Sequence, residues 1–111
     1  MAMHHARSGE LIDLRPLGES LRETVSQALV RADHLEVMRL VLPRDQQLPS
    51  HAIDASAITI QCLEGAVMLT AQDTTQRMPA GTLAYLAPGV AHAVKALEDS
   101  TLLVTLMLAR P

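Results

Sequence analysis

At 111 residues and a formal net charge of −3, the chain has room for one domain and one core, and no basic run that could track a nucleic-acid backbone. Its 49% hydrophobic and 19% charged residues are ordinary for a globular protein, and the lone Cys62 excludes an internal disulfide and a cysteine-rich zinc knuckle. No apolar run approaches the roughly 18 residues needed to span a bilayer, and Met1 to Glu10, with His4, His5 and Arg7 but no hydrophobic stretch, does not read as a secretory signal. No nucleic-acid or membrane partner is therefore expected, and the cytoplasm is the expected compartment.

The chain has no Trp, no Phe and one Tyr, Tyr85, against six Met. Its core must be built from Leu, Val, Ile, Ala and Met, and thioethers fill irregular gaps well. An interior without aromatic faces offers no platform for stacking bases or sugars, which argues against nucleotide and carbohydrate ligands.

In chain order, Glu19–Arg31 is the first ambiguous stretch. Leu21, Val25, Ala28 and Leu29 fall at helical spacing, while Thr24-Val25 and Leu29-Val30 suit a strand. The β-rich remainder favours an irregular loop and then a strand near Ala28–Arg31. The run Leu35–Leu42 stops at Pro43, and Pro43 to His51 reads as a loop. Ile58–Leu63 and Ala66–Ala71 are strands hinged at Glu64-Gly65, followed by a polar turn, Gln72–Thr75. Pro79 and Gly81 precede a strand at Thr82–Leu86. Pro88-Gly89 is another turn, and His92–Leu97 and Thr101–Leu108 are the last strands, separated by Glu98-Asp99-Ser100. Short strands about ten residues apart point to an all-β sandwich or barrel.

Two segments resemble the metal-binding motifs of the cupin superfamily, in its small single-domain, RmlC-like form. In the first, His51 follows Leu48-Pro49-Ser50 and the segment ends in Cys62-Leu63-Glu64-Gly65. In the second, Gly81 opens a strand that runs to Pro88-Gly89, and His92 stands three residues after that turn glycine. The short stretch Ala66–Ala80 lies between them. The resemblance implies an all-β, cupin-type double-stranded jelly-roll barrel: one domain over 1–111, with residues 1–9 flexible and the barrel core over about 34–108.

The family's ligand set is three histidines and a glutamate around a divalent metal. His51 matches the first histidine and His92 the last, but the second falls on Ile53 and the glutamate on Ile58, or on Ala57 if the loop differs by one residue. Two imidazoles without a carboxylate hold a divalent ion weakly, and aliphatic neighbours raise the cost of its charge. Strand alternation offers Cys62 or Gln61 as a third ligand, depending on register, and Asp54 is a further carboxylate near His51. No resident cofactor is expected, with a weakly bound divalent metal as the alternative. The expected ligand pocket is formed by His51 and His92 with a wall of Ile53, Ile58, Ile60, Met38, Met68 and Met107.

These features lead to a small-molecule-binding cupin without the family's standard metal catalysis. The second expectation is an enzyme: a metal-dependent oxygenase or isomerase with a non-standard ligand set that includes His51 and His92, or a metal-independent isomerase with one of them as base. A homodimer is implied by the resemblance.

Overall fold

The computed structural model describes residues 4–52 and 56–108, with only the backbone of His51. Nine strands form two antiparallel sheets: β1 (Gln27–Arg31), β2 (Leu35–Leu42), β3 (Gln47–His51), β4 (Ala57–Glu64), β5 (Ala66–Ala71), β6 (Thr74–Pro79), β7 (Leu83–Leu86), β8 (His92–Ala96) and β9 (Ser100–Met107). The larger sheet runs β1-β2-β9-β4-β7 and the smaller β3-β8-β5-β6. The two face each other as a jelly roll.

Period-two alternation decides which side chains fill the space between the sheets. On β9, Leu102, Val104 and Leu106 point inward and are buried, and their register partners on β4 are Cys62, Ile60 and Ile58. On β2, Met38 and Leu40 pair with Val104 and Leu102 and share that inner face. The smaller sheet contributes Val67, Leu69, Val94 and Ala96. One end of the barrel is closed by Leu42, Cys62, Val67, Ala96 and Leu102, each at most 1% exposed. Every one of these is aliphatic or a thiol, as the aromatic-poor composition requires.

Two expected loops contain strands. Gln47–His51 forms β3 against β8, although Pro49 sits inside it; an edge strand tolerates a proline because it pairs on one side only. The polar stretch after Ala71 is a two-residue turn, Gln72-Asp73, from which β6 starts at Thr74. β6 has the pattern of a solvated edge, with Thr74 to Arg77 exposed and only Met78 buried. The ambiguous Glu19–Arg31 divides into a 3-10 turn over Gly18–Glu23 and strand β1, in keeping with the loop-then-strand expectation.

Gln72 and Asp73 both have positive φ, 50° and 63°, a conformation that favours Asn and Gly in two-residue hairpins. Replacing the pair by Asn-Gly should stabilise the protein by about 1 kcal/mol. Urea denaturation with an unchanged m-value checks it.

The residues before β1 form a strap over the outer face of the larger sheet. The Ala6 N–H donates to Leu29 O (2.8 Å), so part of the 1–9 stretch is tied to β1. Arg39 Nη1 on β2 donates to Asp13 O (3.3 Å), and Leu21 is buried to 2% exposure. Glu64 is the main anchor: its carboxylate accepts the Leu17 N–H (2.7 Å), the Gly18 N–H (3.2 Å) and the Thr101 hydroxyl (3.3 Å). Strict alternation would turn Glu64 inward with Cys62. A register shift at Leu63 pairs Glu64 with Thr101 instead and aims it outward.

Asp99 fastens the strap's other end, with Arg22 at 2.8 Å and the Arg44 N–H at 2.9 Å. The Arg44 N–H, and then the Arg22 guanidinium, hold the Asp99 carboxyl below its ordinary value of 3.8 against the opposing effect of burial. A depressed carboxylate stabilises the fold above its unfolded pKa, and that contribution disappears as pH falls through the folded value. Asp99→Asn should therefore lower stability at neutral pH and flatten the acid limb below about pH 4, as read by thermal melts across pH.

Candidate functional site

The inner face opens into a cavity of about 70 Å³ between β2, β4 and β9 of one sheet and β3 and β8 of the other. Nine of its ten lining residues are apolar, and the tenth is His92. Met38, Ile58, Ile60, Val104 and Leu106 form the wall on the larger sheet, and Leu48 and His92 lie across from them on the smaller.

His92 opens β8 and is 5% exposed. Its backbone pairs with His51 on β3 and with Ala71 on β5. The turn Pro88-Gly89, with Gly89 at φ 83°, brings the chain back so that the ring folds over Val90. His92 Nδ1 lies 3.2 Å from Val90 O. A carbonyl only accepts, so the hydrogen bond puts a proton on Nδ1.

The structure sorts the expected site residues. Met38, Ile58, Ile60 and His92 line one cavity, and β3 brings the backbone of His51 beside His92. Ile53 and Asp54 lie outside the described residues. Met68 and Met107 do not belong to the wall. Met68 pairs with Arg77 and Lys95 on the outer face of the smaller sheet, and Met107 is 54% exposed on the outer face of the larger. Both were expected because they are apolar, but alternation turns them out. Leu102, Val104 and Leu106 take that place, and Thr101 and Thr105 already marked the opposite face of β9 in the sequence. Leu40 and Leu48 are further wall residues without an isolated sequence signal.

The third-ligand alternatives also separate. Gln61 pairs with Leu83 and Leu103 and is exposed on the outer face. Cys62 points inward but at the closed end: its thiol donates to Glu64 O (3.4 Å), beside Gly65. Ala96 and Val67 mark that end of the smaller sheet, whereas His92 pairs with Ala71 at the other. Burial raises the Cys62 thiol pKa and keeps it protonated, which is the wrong state for a metal ligand.

A cupin-type centre requires several imidazoles and a carboxylate converging on one ion. The inner positions nearest His92 are aliphatic, with Ile58 buried where the glutamate would stand, and the described residues include no group of three His, Cys, Asp or Glu able to hold a metal. Among the described residues the donor set does not fit the group.

No family model and no curated protein sequence matches the chain. Solved structures do. A protein from Thermus thermophilus is 22% identical at a TM-score of 0.75, with 92% of this chain and 99% of that one covered. A cupin superfamily protein from Desulfitobacterium hafniense is 15% identical at 0.74, covering 94% and 100%. KdgF from a Halomonas species is 16% identical at 0.73, covering 77% and 80%. At these identities the likeness speaks to architecture. Two antiparallel sheets in jelly-roll order, matched over nearly the whole chain, give this protein the fold of the small RmlC-like cupins.

Proposed function

We propose that this chain is a small-molecule-binding barrel that works without the metal chemistry associated with its fold. The observation that carries this reading is the cavity itself: an aliphatic pocket between the sheets with the His92 imidazole in its wall. Pockets that are mostly apolar with a few placed polar groups suit small organic ligands. An ion there would have too few donors and a low-dielectric surround.

Metal analysis tests the metal-free part. Protein produced with manganese, iron, nickel and zinc present is expected to carry no metal that depends on His92. Because His4 and His5 can hold ions at the terminus, the comparison is with His92→Ala. A stoichiometric metal lost in that variant would overturn the reading in favour of the oxygenase or isomerase with His51 and His92 as ligands. A metal-independent isomerase is the second reading, supported by the buried His92 imidazole in the cavity wall, held through Nδ1 on Val90 O.

The compartment that goes with this reading is the cytoplasm. Among the described residues no helix is long and apolar enough to cross a membrane. A homodimer also goes with it: Leu83 and Tyr85 on edge strand β7 are 64% and 66% exposed, and Met107 lies on the same outer face of the sheet. An exposed edge of this kind invites pairing. Sedimentation of wild type against Tyr85→Lys reads the assembly, and a wild-type monomer would remove it.

A further inference from the structure

We infer that the pocket selects uncharged, compact apolar molecules of about five non-hydrogen atoms, such as short ketones and alcohols, and rejects carboxylates, phosphates and sugars. The inference rests on the small-molecule reading above and narrows it to one chemical class.

Size comes first. A cavity of about 150 Å³ lined by apolar side chains takes a benzene molecule; this one, at about 70 Å³, is roughly half that volume. Only a short chain or a small branched group fits beside Met38, Leu40 and Leu102.

Charge comes next. An anion in the cavity would lose its hydration and needs a cation or several N–H donors in return. The described lining contains no Lys or Arg, and its side-chain polar group is a single imidazole whose Nδ1–H already points at Val90 O. Beside Leu106 on the same inner face stands Glu36, its register partner on β2. Its carboxylate is held by Arg31 Nη2 at 3.3 Å, so the rim adds an acid and commits its cation to that acid. Sugars fail on both counts, since several hydroxyls would be buried against aliphatic walls without partners.

The test uses a shape-matched pair, methyl ethyl ketone and propionate, with xenon as a purely apolar probe. Titrations at neutral pH are followed by methyl NMR of the full chain. The ketone and xenon should shift the methyl resonances of Ile58, Ile60, Val104 and Leu106 saturably, with the ketone bound at least about tenfold more tightly than propionate. Val104→Leu, which fills the cavity while staying aliphatic, should abolish both responses. Propionate binding as tightly as the ketone would overturn the class and leave the pocket as a small-molecule site. If neither xenon nor ketone perturbs these methyls, the small-molecule reading itself fails.

Discussion

Gly65→Ala should destabilise the protein by more than about 3 kcal/mol, enough to lower the melting temperature by well over ten degrees in a domain of this size. Gly65 joins β4 to β5 at a φ of 78°, where a Cβ carries a steric cost of about 1–2 kcal/mol by itself. The surroundings add to this. A methyl at that position falls against the backbone oxygen of Asp99 and the Oγ of Ser100, and lies 2.9 Å from Ser100 Cα. None of these is a flexible side-chain tip. Ser100 is fully buried; its hydroxyl donates to Glu98 O at 2.7 Å, with Ala66 O as the alternative acceptor at 3.1 Å, and it accepts the Ala66 N–H, so it cannot step aside without breaking the corner. Gly81→Ala is the matched control: its φ is 90°, but nothing lies within 4 Å of the added Cβ. Urea denaturation of the two variants separates backbone conformation from close packing. Equal losses would show that the contact at Gly65 contributes nothing.

Leu102→Ala should cost about 3–5 kcal/mol, the range for emptying a fully buried leucine site that cannot collapse. Leu102 is 0% exposed, is flanked on β9 by Leu40 on β2 and Cys62 on β4, and lines the cavity. Both neighbouring strands are fixed by long antiparallel ladders, which is why relaxation should be small. The removed methyls would merge with existing empty space, so stability and binding change in opposite directions. Variant protein should be less resistant to urea and should accept a larger apolar probe, such as benzene, that the wild type excludes. Binding of benzene by wild type as well would show that the pocket is already larger than its resting volume.

Much of the barrel was legible in the chain. β2 and β5 match the apolar runs Leu35–Leu42 and Ala66–Ala71 residue for residue, because each is bounded by residues that cannot continue a strand: Pro43 after the first, Gly65 before the second and a turn after it. The strands at Gln47–His51 and Thr74–Pro79 were hidden for the opposite reason. Both are sheet edges, so their side chains are mainly polar, and their pairing depends on β8 and β5 rather than on any local pattern.

The site divides in the same way. The aliphatic residue at the glutamate position, Ile58 or Ala57, could be read directly, since it concerns which residue types are present. Which of Gln61 and Cys62 faces the interior could not, because the register of β4 against β9 fixes it and a one-residue slip exchanges the faces. The bulge that turns Glu64 outward to hold the strap is a second instance, invisible to a strict alternation of two. Sequence alone determined the fold class, through turn residues at the strand boundaries, and the thinning of the metal-ligand set, through aliphatic residues in its place. Tertiary structure decided that Met68 and Met107 face outward, that Cys62 lies at the closed end away from His92, and that the cavity is about 70 Å³. Those facts arise from pairing between strands far apart in the chain, and no local stretch of sequence encodes them.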